Sequence, residues 1–453
     1  VGGYSLIYKP HHYQDNGTKH LLDNTHAALF AQMGLGKSIM TLTALEWLLG
    51  TLAIDKPLII GPKRVVSHTW PSEIRKWSHT QHLKISVIQG TEKQRLQALY
   101  TKADIYAVSR DNIAKLVHFI GKNKGKWPFD TLVIDESSNF KNSSTQRYKA
   151  VKRILPYCRR VILLTGTPSP NSLLGLWAQI FLLDAGKRLG HTFGGFKENY
   201  FIPGSRQGPI IFNWIPKKIA EQQIYDQISD LCLSMQSADY LELPPRIDIY
   251  EEVELKSYER YKEFKDTEVL QLSNDFNLTP VNSAAMYSKL LQYCNGAVYR
   301  GDGSYEVVDD SKLEALAEDV ESLDGDPVFI AYMFQSDFER MQKAIPGIRK
   351  VSTDAEIDEW NAGKIPVACA QIQSLAYGIN LQEGGNHLYM FGLSWDLEVV
   401  LQMLARIDRQ GKTKPTIVKY FVAKNSIEQV VIERLAGKLD TQEKLMNALK
   451  RYL

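Results

Sequence analysis

Residues 27–49 read AALFAQMGLGKSIMTLTALEWLL, and this stretch decides the fold. It opens on an apolar run of strand length, Ala27–Phe30. It then passes through Ala31-Gln32-Met33-Gly34-Leu35-Gly36-Lys37-Ser38 into a helical run, Ile39–Leu49. Gly34 and Gly36 let the loop from Met33 to Leu35 turn its N–H groups inward with no Cβ in the way. The new helix offers its N-terminus to phosphate oxygens. Lys37 would neutralise the β- and γ-phosphates of a nucleotide, and the Ser38 hydroxyl would ligate Mg²⁺. The strict phosphate-loop pattern begins with Gly, and here that position is Ala31. Strand, glycines and helix in this order still favour nucleotide binding over a structural turn.

Ninety-eight residues after Lys37, the run Leu132-Val133-Ile134 ends on Asp135-Glu136. Sheets of α/β proteins place ligands at the C-terminal ends of their strands. Asp135 is positioned to hold Mg²⁺ through water, and Glu136 to polarise an attacking water. Further strand-sized runs are Pro57–Ile60, Ile105–Val108 and Val161–Leu164 in the first half. Val328–Tyr332, Val367–Ala370, Asn386–Phe391 and Thr416–Phe421 repeat the pattern in the second. Strands alternating with helical stretches predict parallel sheets, so the expected class is α/β with two lobes.

The composition agrees. The chain has 453 residues, enough for two or three domains, with 44% hydrophobic and 23% charged residues. That excludes a disordered chain and a coiled coil. The net charge of only +3 does not demand a polyanionic partner, so any nucleic-acid surface has to come from local clustering. Four scattered cysteines contain no C-x-x-C pair, which argues against a zinc ribbon or disulfide framework. His11-His12 has no third ligand nearby in sequence and reads as a surface pair. No apolar run approaches the ~18 residues of a membrane span. The opening Val1-Gly2-Gly3-Tyr4 lacks the pattern of a signal peptide. The expectation is a cytoplasmic protein of a bacterial or phage-infected host cell, with no membrane partner.

Taken together and in order, the motifs resemble the Swi/Snf-type branch of the superfamily-two helicase-like ATPases, in the compact form that bacteriophages and bacteria encode. Tyr13-Gln14 is similar to the adenine-reading glutamine motif, and MGLGKS to the family's phosphate loop. Residues 58–77 (LIIGPKRVVSHTWPSEIRKW) resemble its next motif, and DESSNFKN (Asp135–Asn142) its acidic box. LTGTPSPNSLLGLW (Leu164–Trp177) closely resembles the coupling motif. LELPPR (Leu241–Arg246) and LQYCNGAVY (Leu291–Tyr299) fall where the family has comparable stretches. YGINLQEG (Tyr377–Gly384) and QMLARIDRQGK (Gln402–Lys412) resemble the last two motifs. Three positions depart from the pattern. Gln32 replaces an acid, Ser138 replaces the usual His, and the final box reads Asp408-Arg409-Gln410-Gly411-Lys412. A hydroxyl at Ser138 reaches less far than an imidazole.

The resemblance implies two RecA-like lobes with mainly helical insertions, binding ATP and Mg²⁺ between them. The implied divisions are lobe 1 at 1–184, an insertion and hinge at 185–245, a helical protrusion at 246–300 and lobe 2 at 301–453. Gln14 would read adenine. Arg406 and Arg409, three apart on a helix, would reach the γ-phosphate as paired guanidinium forks. Thr165, Gly166, Thr167 and Ser138 would couple nucleotide state to lobe position. Ser67, Ser109, Arg110 and Gln373 occupy positions that resemble nucleic-acid contacts, and local basic clusters add Lys63 and Arg64, near Arg75-Lys76, and Lys141 and Arg147. Residues 141–160 add a local signal of their own, seven cations and no acid. There Tyr148, Val151 and Leu155 are spaced as the apolar face of a helix. Residues 300–326 carry ten acids against two bases and read as a solvated surface. Phe193, Phe196, Tyr200 and Phe201 read as aromatics holding the insertion on lobe 1.

The implied function is an ATP-dependent translocase on double-stranded DNA, working as a monomer in repair, recombination, replication or protein displacement. Three other readings stay open at this point. One is a strand-separating DNA or RNA helicase. Another is a nucleotide-gated DNA- or host-factor-binding module with little turnover. The last is a motor for a separate nuclease or methylase.

Overall fold

The computed structural model describes residues 6–122, 125–170, 172–204, 206–207, 210–211, 214–240, 244–274, 280–375, 381–408 and 412–450. The chain forms two compact units. Unit 1 comprises residues 1–241 and 438–453, and unit 2 comprises residues 242–437.

Unit 1 is built on a seven-stranded sheet: β1 (His26–Ala31), β2 (Pro57–Gly61), β3 (Ile85–Ile88), β4 (Ile105–Ser109), β5 (Thr131–Asp135), β6 (Arg160–Thr165) and β7 (Cys232–Met235). Their order in the sheet is β7-β1-β6-β5-β2-β4-β3, and every pairing is parallel. A parallel sheet needs crossover helices, which cover both faces and bury the strands. All residues of β2, β4, β5 and β6 are accordingly buried. The helices that matter below are α1 (His12–Asp23), α2 (Lys37–Gly50), α3 (Gln146–Ile154) and α4 (Leu174–Asp184). Because the strands run the same way, Ala31, Gly61, Ser109, Asp135 and Thr165 all end at one edge of the sheet.

Five expected strands of the first half are present, each extended by a residue or two. Two were not expected. The β3 run is short and alternates half-buried with buried residues, so its apolar signal is weak. The β7 run, Cys-Leu-Ser-Met, lies in the expected insertion and hinge, 185–245. That segment packs on unit 1 through Phe196 and Phe201, both buried, with Phe193 and Tyr200 against the same core.

Unit 2 carries a second parallel sheet, with β8 (Ile247–Val253), β9 (Val328–Tyr332), β10 (Arg349–Lys350), β11 (Val367–Gln371), β12 (His387–Met390) and β13 (Ile417–Ala423) in the order β8-β13-β12-β9-β11-β10. The two-lobe α/β expectation therefore holds. Strand β8 lies at the start of the stretch 246–300, for which a helical protrusion is expected. Six of its seven residues are exposed, and its apolar residues (Ile247, Ile249, Tyr250 and Val253) are interrupted by three acids and keep no steady alternation. Parallel pairing along the whole of β13 forms it nonetheless.

The acidic stretch 300–326 departs from a simple solvated surface. Lys312 is 1% exposed, and its Nζ lies 2.6 Å from Glu428, itself fully buried. The same ammonium donates to Asn295 Oδ1 at 2.9 Å. Asp309 is also buried and accepts from the Ser257 and Ser311 N–H groups. Burial raises the neighbouring Asp337 carboxyl to about 6, opposed by N–H groups of Phe334 and Met333 and by Asn295.

Lys312→Met should leave Glu428 buried and unpaired, and cost about 3–5 kcal/mol of stability. Lys312→Met together with Glu428→Leu should recover most of that loss. Urea unfolding followed by circular dichroism measures both; equal midpoints for the single variant and the parent would contradict the pairing.

Candidate active site

The phosphate loop forms as the glycines require. Gly34 has φ +88° and Gly36 φ +85°, both left-handed. Gly36 has a second reason to lack a side chain, since a Cβ there would sit 2.7 Å from Gln14 Nε2. Gln14, in the first turn of α1, is buried and used on both sides. Its Oε1 accepts from His11 N–H at 3.0 Å and the Tyr8 hydroxyl at 3.2 Å. Its Nε2 donates to the Leu35 carbonyl at 3.3 Å. The glutamine motif is thus fixed directly to the phosphate loop. Gln32, where the family pattern has an acid, accepts from Ser237 N–H at 2.8 Å and Ser237 Oγ at 2.6 Å. It anchors the loop start to the segment after β7.

Lys37 opens α2, and its Nζ donates to the Ala31 carbonyl at 2.7 Å. That carbonyl holds the ammonium at the mouth of the loop. Ser38 follows in the same first turn. Asp135 ends β5 and is 7% exposed. Burial pushes its carboxyl up, and the Lys37 charge, the Trp70 indole and the Glu136 N–H pull it back. Trp70 Nε1 donates to Asp135 Oδ2 at 2.9 Å, and Glu136 N–H to Oδ1 at 3.0 Å. Glu136 takes a left-handed conformation, φ 53° and ψ 57°. For a non-glycine residue this stores strain on the order of 1–3 kcal/mol. Its carbonyl is held by Asn139 N–H at 3.0 Å and Asn139 Nδ2 at 3.1 Å.

A hydroxyl and a carboxylate are hard oxygen donors, which suits Mg²⁺ shared with phosphate oxygens and water. Among the described residues no group of three His, Cys, Asp or Glu could hold an ion through protein ligands alone. Ser38 and Asp135 offer oxygen donors of this kind, one on the first turn of α2 and one at the end of β5.

The coupling segment lies against the same loop. At Gly166 an added Cβ would meet the Ala31 carbonyl at 3.3 Å and Met33 N at 3.5 Å. Thr165 and Thr167 are buried, and Thr167 N–H donates to Thr165 Oγ1 at 3.1 Å. Ser138 is fully buried in a short 3₁₀ turn, Ser137–Phe140. A hydrogen-bonded link from the acidic box to the coupling segment runs through its neighbour Ser137. Ser137 Oγ donates to Gln179 Oε1 at 2.8 Å, and Gln179 Nε2 donates to the Pro168 carbonyl at 2.7 Å. Gln179 carried no sequence signal beyond being a polar residue on the otherwise apolar α4. Trp70 was likewise unmarked as a partner of Asp135.

The nucleic-acid candidates of unit 1 come from neighbouring strand ends. Lys63, Arg64 and Ser67 follow β2, Ser109 ends β4 and Arg110 follows it. Ser67 Oγ donates to the Lys63 carbonyl at 2.8 Å, and Arg110 N–H to the Gly61 carbonyl at 2.8 Å. Arg147, in the first turn of α3, lies 3.7 Å from Asp111, which brings it beside Arg110. Lys141 precedes α3 and packs its stem near Gly175.

The basic stretch 141–160 does not form one face. Helix α3 ends at Ile154, and Leu155 starts a 3₁₀ turn. Arg159 pairs with Asp130 at 2.6 Å. Arg160 is buried and donates to the carbonyls of Leu21, Leu22 and Asn24. Both belong to the start of β6, the edge opposite Thr165, because a helix between two parallel strands must run back across the sheet.

In unit 2, Arg406 is 8% exposed in the last turn of the helix Leu397–Ile407. Gln373 is exposed on the short helix Ile372–Leu375. Arg409 lies outside the described residues, as do Tyr377–Asn380 of one motif and Leu243 of the expected hinge.

Comparison with known proteins adds the following. The SNF2-related domain matches residues 13–295. A putative protein of Acyrthosiphon pisum secondary endosymbiont phage 1 is 35% identical over 98% of this chain and 99% of its own length. An uncharacterized ATP-dependent helicase of Mycoplasma genitalium is 26% identical over 93% of this chain, which spans 40% of that protein. A zebrafish (Danio rerio) RAD54-like DNA repair and recombination protein is 24% identical over 96% of this chain and 66% of its own length. A Sulfolobus solfataricus SWI2/SNF2 ATPase core solved with double-stranded DNA has a TM-score of 0.46 at 19% identity, covering 99% of this chain and 95% of that one.

Gln179→Leu should strand the Ser137 hydroxyl and the Pro168 carbonyl in the core, at a cost of about 1–3 kcal/mol each. The thermal midpoint should fall accordingly; an unchanged midpoint would mean that water replaces the amide.

Proposed function

This chain belongs to the SNF2-related family of helicase-like ATPases, and we propose that it is a translocase that couples ATP hydrolysis to movement along double-stranded DNA. The observation that carries the reading is a single edge of the unit 1 sheet. The phosphate loop, the acidic pair, the coupling segment and the cationic strand ends all belong to that edge.

Within this reading Gln14 reads the adenine edge. Lys37 leaves the Ala31 carbonyl for the β- and γ-phosphates. Loop N–H groups between Met33 and Lys37 cradle the same oxygens. Ser38 and Asp135 are the side chains that would hold Mg²⁺, which when bound supplies charge neutralisation at the phosphates. Trp70 keeps Asp135 oriented. Glu136 accepts a hydrogen bond from the attacking water and aligns it. Its strained backbone supports the assignment, because such strain clusters at functional sites. Arg406 and Arg409 supply the guanidinium charge that stabilises the transferring phosphoryl, an effect worth on the order of 10³–10⁵ in rate in related enzymes.

Duplex DNA then lies along the strand ends of β2 and β4. Backbone amides, Ser67, Ser109 and Gln373 position the phosphates, and Lys63, Arg64, Arg110, Lys141 and Arg147 neutralise them. The biological process is DNA repair, recombination, replication or displacement of bound protein. The similar phage protein supports a role during infection, where a nuclease, a methylase or a host factor is a candidate partner.

Hydrolysis should be measured with no nucleic acid, single-stranded DNA, duplex DNA and RNA at fixed low salt. Strong stimulation by duplex, followed by triplex displacement, is the expected result. Stimulation by single strands or RNA alone would overturn the duplex assignment in favour of strand separation. Lys37→Ala and Glu136→Gln should each abolish turnover with the circular dichroism spectrum unchanged; turnover retained in both would overturn the site.

Lys63→Glu with Lys141→Glu should weaken duplex binding and reduce the log K against log salt slope by about 0.9 per lost phosphate contact. Arg159→Glu, at the opposite edge, should leave that slope unaltered. Equal slopes in all three proteins would remove the cationic strand ends from the DNA face.

A further inference from the structure

Two helices at the β3 side of the unit 1 sheet leave apolar surface uncovered. The helix Glu92–Tyr100 follows β3, the last strand of that sheet, and the helix Ile113–Lys122 follows β4. None of the nine residues of the first helix is buried. Helix α3 has the same length and buries four. Yet the first helix carries Leu96, Leu99 and Tyr100, spaced i, i+3 and i+4 as an apolar stripe. Leu96 and Leu99 are only half-buried, and Tyr100 is 78% exposed. Phe119 of the second helix is half-buried as well.

These side chains wall a groove. One hollow of about 480 Å³ is lined by Ile88 and Val108 of the sheet and by Leu96, Leu99, Leu116 and Phe119 of the helices. A second, of about 750 Å³, is lined by Tyr100, Ile120 and Phe129 among others. Leu99 and Phe119 line both, so the hollows adjoin at that pair. Asp55, Lys56 and Asp104 also line the second hollow and precede β2 and β4. The groove therefore leads towards the sheet edge opposite the phosphate loop.

The charge around it is mostly positive. Lys56, Arg95, Lys102, Lys115, Lys122 and Lys126 line it, against Asp55, Glu92 and Asp104. Asp104 already accepts the Lys84 N–H at 2.7 Å. Among the described residues no ion pair engages any of the six cations. Nucleic-acid phosphates bring no anchor for an apolar floor and would be desolvated against it. Apolar side chains suit that floor, and carboxylates beside them suit the cations of the rim. A nine-residue helix is about 13 Å long at ~1.5 Å per residue. A groove of that length accepts two turns of a partner helix, held by apolar anchors three or four residues apart.

We propose that this groove is a docking site for a partner protein, and that its occupant is an acidic amphipathic helix. Its apolar anchors pack on Leu96, Leu99 and Phe119, and its carboxylates face Arg95, Lys115 and Lys122. The inference goes beyond the translocase reading and stands without it. The groove belongs to unit 1 alone and shares no residue with the nucleotide site or the DNA candidates.

The probe is a displayed library of ~14-residue peptides selected against the full chain, with enriched peptides synthesised carrying fluorescein for anisotropy. The enriched peptides should place Glu or Asp between apolar residues three or four positions apart. Lys115→Glu with Lys122→Glu should weaken their binding about tenfold, because like charges then face each other. Both positions are exposed, so the thermal midpoint should match the parent. Leu96→Ser should weaken binding by a similar factor through the lost apolar contact. Selection that yields no binder, binders without acids, or affinities unaltered in both variants would overturn the proposal. Displacement of the peptide by duplex DNA would also overturn it, by making the groove a nucleic-acid surface.

Discussion

A carboxylate taken almost wholly out of water is the constraint around which unit 1 is organised. Asp135 ends a fully buried strand, and burial alone would drive it towards its neutral form. The Trp70 indole, the Glu136 N–H and the charge of Lys37 each favour the ionised form instead. These three groups come from a helix after β2, from the acidic box itself and from the phosphate loop. Isolated burial of a charge is far more costly than burial of a hydrogen-bonded one. Satisfying one carboxylate therefore ties three motifs to a single point.

The parallel sheet makes that arrangement possible. Each right-handed crossover returns the chain to the same starting edge, so every strand ends where its neighbours end. The coupling segment after β6 falls between the phosphate loop after β1 and the acidic box after β5, because β6 separates those strands in the sheet. That order explains why a side chain at Gly166 would run into the phosphate loop while Gln179 ties Pro168 to Ser137. The coupling segment is held by the neutral amides of Gln179 and, at Ser169 N–H, of Gln442. Such amides can give up one partner for another without leaving a charge buried.

The same geometry separates cations that are neighbours in sequence. Lys141 and Arg147 precede or open α3, near the strand ends. Arg159 and Arg160 come after the helix has crossed back, and there they brace Asp130 and the end of α1. Charge density along the chain does not report charge density on a surface. The acidic stretch 300–326 makes the same point, since its Lys312 lies buried on Glu428 more than a hundred residues away.

By itself the sequence determined the class of fold and the family of the chain. Apolar runs of strand length, separated by helical patterns, specify a parallel sheet through local physics alone. Gly34 and Gly36 specify a loop conformation that other residues rarely adopt. What the sequence left open are the features that depend on long-range closure. Strand β8 exists because β13 pairs with it, and its apolar residues, alternating at Ile247 and Ile249, lose that period at Tyr250 and the two acids that follow. Trp70, Gln179 and Gln442 look like ordinary helical residues, since a hydrogen bond to a partner 65, 42 or 273 positions away has no local period. Only the tertiary structure decided these contacts, because the cost of burying a polar group is settled by whichever partner the fold brings within about 3 Å.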